Sequence, residues 1–182
     1  MNFCNRIVAF IDILGFKSKV EEAVYSKDVA DKLHDALKCI LNIKKCNDNT
    51  DSFMSMKEYG VEVTTFSDSA VISYPADNID NLFYLILDII HLQLELACRD
   101  VLLRGGITMG ALYHDGDIVY GPAMNQAYYM ESCDAVVPRI LVDKCAIDKY
   151  VKQFSKDVYA LQDIKDLLRQ DVDSKYFIDM LR

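Results

Sequence analysis

The sequence has 182 residues, 52% of them hydrophobic, and a formal charge of −8 from 28 acidic and 20 basic side chains. That length suits one domain, 1–182, with a substantial core, and the acidic balance excludes a broad basic surface for nucleic acid. Six cysteines without a Cys-x-x-Cys pair read as reduced thiols of a cytoplasmic protein, not as a zinc site or a disulfide framework.

In chain order, a strand is predicted over 5–13, where Ile7 to Leu14 form a short apolar run rich in β-branched residues. No basic segment with a signal-type apolar core precedes it. A helical region follows over 16–45, with Val29, Leu33, Ala36, Leu37, Ile40 and Leu41 at helical spacing. The polar stretch 47–52 reads as a surface loop. Strands at 60–67 and 69–74 lie close enough to form a tight hairpin with Asp68 near its turn. A helix is expected over 78–99. Its apolar run from Leu82 to Ala97 is interrupted by Asp88, His91, Gln93 and Glu95, which suits a helix on a sheet and not a membrane span. Next come a strand at 102–112, a turn at 114–117 and a short strand at 117–120. A helix at 122–133 has Pro122 suited to its first turn, and a strand follows at 138–142. The remaining residues mix short helices with a final strand or helix at 174–181. The order β-α-β-β-α-β is the ferredoxin-like plan, an α/β (α+β) fold with crossover helices covering one face of a mostly antiparallel sheet.

Asp12 and Asp68 interrupt two of these apolar strand runs. A carboxylate taken out of water is costly unless it is paired or bound to a metal. In the ferredoxin-like plan the end of the first strand lies beside the hairpin, so the two acids would meet and could share divalent cations. Hard ions such as Mg²⁺ or Mn²⁺ prefer such oxygen ligands. For Asp12 alone, a strand-end carboxylate bonded to backbone N–H groups is an equal reading.

Four motifs extend this reading: Phe10-Ile11-Asp12-Ile13-Leu14-Gly15-Phe16, Thr64-Thr65-Phe66-Ser67-Asp68-Ser69-Ala70-Val71, Leu103-Arg104-Gly105-Gly106-Ile107-Thr108-Met109-Gly110, and Tyr120-Gly121-Pro122-Ala123-Met124-Asn125-Gln126-Ala127. Together, in this order, they resemble the catalytic domain of class III nucleotidyl cyclases over about 5–143, leaving 144–182 as a C-terminal subregion. The resemblance implies a cyclase palm core and two divalent cations held by Asp12, Asp68 and the Ile13 carbonyl. It further implies backbone contacts to phosphate from Leu14, Gly15 and Phe16, with Arg104 on the outer phosphates and Asn125 orienting the ribose. In the family the last two helpers come from the opposite subunit, so a homodimer with composite sites is implied.

Three positions depart from the purine-specific pattern. Thr64 and Ile118 stand where the base-reading residues would be, and Ile118 has no side-chain hydrogen-bonding group. Tyr129 replaces the arginine that stabilises the transition state. Glu131 reads as a helix-surface residue. These departures resemble the compact bacterial pyrimidine cyclases of the Pycsar anti-phage systems, which make cyclic UMP or cyclic CMP for a separate effector. The expected activity is cyclisation of UTP, or of CTP, with uridylate favoured. The alternatives are a purine cyclase and a catalytically silent module that binds nucleotide or dimerises.

Overall fold

Alternation along the first strand decides which elements cover which face of the sheet. The computed structural model describes the backbone of residues 2–48 and 60–181. Its strands are β1 (Cys4–Ile13), β2 (Glu62–Phe66), β3 (Ser69–Pro75), β4 (Leu103–Asp115), β5 (Ile118–Tyr120), β6 (Ile140–Val142), β7 (Leu168–Gln170) and β8 (Tyr176–Ile178). The helices are α1 (Phe16–Ala23), α2 (Lys27–Asp48), α3 (Asp80–Ala97), α4 (Pro122–Tyr129), α5 (Lys144–Gln153) and α6 (Val158–Asp166), with a π-helical turn at Met130–Asp134. The sheet runs β2-β3-β1-β4-β6-β8-β7, with β5 paired to β4. Its first four strands are antiparallel and form the expected ferredoxin-like core, while β6 lies parallel to β4.

Because side chains alternate along a strand, β1 feeds two cores. Ile7, Ala9, Ile11 and Ile13 join Leu33, Ala36 and Ile40 of α2 and Leu85, Ile86 and Ile89 of α3. Val8 and Phe10 point the other way, under Ala123 and Ala127 of α4. Helices therefore cover both faces, not one as expected. Burying each of the larger aliphatic side chains stabilises the fold by about 1.5–3 kcal/mol relative to exposure. Asp12 is the next residue in the Val8–Phe10 series, at the margin of the α4 layer.

The helix expected over 16–45 is two. The Tyr25 and Ser26 N–H groups both turn back to Glu22 O, and Ser26 Oγ accepts from Val29 N at 3.4 Å as a cap on α2. α2 runs on to Asp48, so it takes in the first residues of the loop expected at 47–52, whose remainder lies outside the described residues. The helix expected over 122–133 leaves α-helical form after Tyr129, where Ala135 N–H bonds Met130 O at 2.8 Å. β8 occupies only Tyr176–Ile178, and with β7 it extends the sheet beyond β6. Arg139 pairs with Asp171 and Asp173, fastening the β7–β8 hairpin to the start of β6. Among the described residues no helix is long and apolar enough to cross a membrane.

Candidate active site

The sheet register puts Asp12 opposite Ser69 of β3 on one side and Arg104 of β4 on the other. Ser67 and Asp68 form the two-residue turn between β2 and β3, with Ser67 in the left-handed region at φ 54°. The Ile13 N–H donates to Asp68 O at 3.3 Å, fastening this turn against the end of β1. Ser69 Oγ donates to Asp12 Oδ1 at 2.8 Å. Burial pushes the Asp12 carboxyl above the usual carboxylate range and the Asp68 charge adds to it, while the Ser69 hydroxyl and Arg104 pull it down. The two expected metal aspartates are thus brought together.

Arg104 Nη2 lies 3.6 Å from Asp12 Oδ2, and its Nε lies 2.6 Å from Glu131 Oε1. That second contact is an ion pair by distance but lacks hydrogen-bond alignment, so both atoms are without a hydrogen-bond partner. The Glu131 side chain is 4% exposed, which corrects the expectation of a helix-surface residue. Burial raises its carboxyl and Arg104 opposes the rise. The sequence did hold a signal: Glu131 follows Ala123 and Ala127 at intervals of four, on the helix face that packs against the sheet. The close seat depends on Gly106, where a Cβ would fall 2.6 Å from Met130 Cβ and 2.7 Å from Ala127 O.

The other expected residues divide. The Leu14 N–H already donates to Leu102 O at 2.9 Å and is not available to a phosphate, a correction to that expectation. Gly15, at φ 73°, is exposed and precedes α1, and the N–H groups of a first helical turn have no partners within their helix. Phe16 packs its ring against the larger core, so its backbone alone can serve a ligand. The Ile13 side chain is buried in that same core, so only its carbonyl can reach an ion. Arg104, expected to come from the opposite subunit, lies beside Asp12 of its own chain. Asn125 and Tyr129, one turn apart, are exposed on α4, away from the face that packs on the sheet. Tyr128 between them stacks edge-on against Phe10, with ring centres 5.4 Å apart.

Thr64 is 1% exposed. Its hydroxyl donates to Gly116 O at 2.5 Å and meets His114 Nε2 at 2.8 Å, while His114 Nδ1 meets Ser73 Oγ at 2.8 Å. One direction of donation satisfies the whole chain: Arg6 Nε to Ser73, Ser73 to His114, His114 to Thr64, and Thr64 to Gly116. Thr64 therefore fastens the β4–β5 hairpin instead of facing a ligand. Ile118, on that hairpin, is exposed. The fold brings the two positions near each other but opens only one.

Among the described residues no three His, Cys, Asp or Glu side chains cluster as a closed metal cage. Two mutually repelling carboxylates with a nearby carbonyl form a partial oxygen set, of the kind Mg²⁺ occupies together with substrate phosphates. The residues fit such an ion on the chemistry of their donors.

No family model and no curated protein matches the sequence. Solved structures do match the fold. One is a bacterial light-regulated adenylyl cyclase, at TM-score 0.61 and 17% identity over 100% of this chain and 93% of that one. Another is the monomeric guanylyl cyclase domain of the RhoGC fusion protein from the aquatic fungus Blastocladiella emersonii, at 0.58 and 18% over 98% and 96%. A third is an adenylate/guanylate cyclase/hydrolase from Silicibacter pomeroyi, at 0.51 and 14% over 98% and 99%. The shared fold is the mixed sheet with helices on its faces.

Proposed function

We propose that this chain is a nucleotidyl cyclase that closes a pyrimidine nucleoside triphosphate, UTP in preference to CTP, into its 3′,5′-cyclic monophosphate and releases pyrophosphate. The observation that carries the reading is the meeting of Asp12 and Asp68 at adjoining strand ends, with Arg104 beside them. The fold shared with solved adenylyl and guanylyl cyclases supports the reaction class.

In this reading Asp12, Asp68 and the Ile13 carbonyl hold two Mn²⁺ or Mg²⁺ ions. When bound, such ions acidify the attacking 3′-hydroxyl and neutralise the triphosphate. Arg104 offers its outer N–H groups to the β- and γ-phosphates, a match for its fork of donors. The N–H groups of Gly15 and Phe16 hold phosphate oxygens at the start of α1. Asn125 orients the ribose and the Tyr129 hydroxyl donates one hydrogen bond to charge developing on the α-phosphate, both from a second copy of the chain. Their exposure on α4 supports that supply in trans.

The pyrimidine preference rests on positions 64 and 118, where a buried, satisfied threonine and an exposed isoleucine offer no charged group for a purine edge. The product then serves as a cytoplasmic messenger to a separate effector in anti-phage defence. Incubating the protein with each of the four ribonucleoside triphosphates and Mn²⁺, then identifying products by mass spectrometry, tests the whole reading. Cyclic UMP or cyclic CMP is expected. Cyclic AMP or GMP alone would overturn the base assignment, and no cyclic product would overturn the activity.

A further inference from the structure

We propose that Glu131 is a positioning residue that holds the Arg104 guanidinium away from the Asp12–Asp68 pair, keeping those carboxylates open to divalent cations; this rests on the cyclase reading above. Among the described residues Glu131 is the one charged side chain that is wholly buried. Its Oε1 forms an ion pair with Arg104 Nε at 2.6 Å, and Nη2, on the same edge of the guanidinium, stops 3.6 Å from Asp12 Oδ2. An unrestrained arginine closes on a carboxylate to about 2.7–2.9 Å. Arg104 therefore stands short of the contact it would make if free.

The grip has a rigid base. The bare Gly106 lets Met130 and Ala127 lie directly on β4, and Asp134 at the end of the π-helical turn pairs with Lys175 at 2.5 Å. Without the Glu131 charge, the nearest carboxylate left to Arg104 is Asp12. An arginine closed on Asp12 competes with any cation for the same oxygens.

The test is Mn²⁺ binding to the full chain without nucleotide, followed by the electron paramagnetic resonance signal of free Mn²⁺. Glu131→Gln is expected to weaken binding about tenfold. Arg104→Lys keeps the positive charge but has no Nε edge to grip, and is expected to weaken binding to a similar degree. In an Arg104→Gln background, Glu131→Gln should then change affinity by less than about twofold. An equal loss in both backgrounds would mean through-space charge alone, and would overturn the proposal. So would unchanged binding in Glu131→Gln. Should that variant fail to fold, unchanged binding in Arg104→Lys overturns the proposal by itself. Wild-type protein that binds no Mn²⁺, or binds it as well after Asp12→Asn, would instead remove the cyclase reading, and this proposal with it.

Discussion

Asp12 owes its place to a single step in an alternating strand. One position earlier or later it would enter the apolar α2–α3 core; at position 12 it meets Ser69, Asp68 and Arg104. Replacing Asp12 or Asp68 by Asn is expected to lower turnover by about 10²–10³ or more, measured as cyclic nucleotide formed. Melting temperatures should stay within a few degrees of wild type, which separates lost chemistry from lost folding. Ligand linkage supplies a second check. At roughly 100 times its Kd, Mn²⁺ should stabilise the native chain by about 2.7 kcal/mol. For a chain of this size that is a rise of about 5–10 °C in melting temperature, and Asp68→Asn should abolish it. An equal rise in the variant would place the ion elsewhere.

At the scale of elements, two packings can be tested, one under the site and one remote from it. The first is α4 and its π-helical turn on β4, through Gly106. A methyl group there must displace Met130 or the Ala127 carbonyl, so Gly106→Ala should cost about 1–3 kcal/mol in chemical denaturation. Activity should fall further than stability, since the shift lifts Glu131 away from Arg104. The second is α3 on β3, where the Tyr74 hydroxyl donates to Asp88 Oδ2 at 2.5 Å. Burial raises the Asp88 carboxyl and the Tyr74 hydroxyl opposes the rise. Ionised Asp88 is therefore a penalty on the folded state at neutral pH, relieved as pH falls through its raised pKa. Tyr74→Phe deepens that penalty, at a cost of about 1–3 kcal/mol near pH 7. Denaturation near pH 4, about where an ordinary aspartate titrates, should show a smaller gap between variant and wild type, because a protonated Asp88 no longer needs the donor. A gap unchanged with pH would show that Asp88 is not the group responsible.

For the whole molecule, the outward placement of Asn125 and Tyr129 poses the question of assembly. Tyr128, Tyr129, Val136 and Val137 are exposed on and just beyond α4, where the second copy proposed above would supply Asn125 and Tyr129. If Asn125 serves the aspartates of a partner, two inactive variants should complement each other. Mixing Asp12→Asn with Asn125→Ala rebuilds one intact site in each mixed dimer. Random exchange should then restore roughly a quarter of wild-type activity. No recovery, with mixed dimers shown to form, would mean that each chain works alone.

Strand periodicity, the hairpin around Asp68 and the Pro122 helix start are local properties, so they could be read from the sequence and hold in the fold. The break at Tyr25–Ser26 was also local, written in the capping serine, but it lay inside a longer apolar repeat that masked it. The sequence by itself determined the ferredoxin-like order and the two acids at strand ends, because alternation and turn chemistry act between near neighbours. Only the tertiary structure decided that Glu131 is buried under Arg104, that Thr64 turns inward to His114 and Gly116, and that Leu14 N–H is already taken. Each of these depends on partners tens of residues distant in the chain, and a side chain's type does not reveal which distant group will satisfy it.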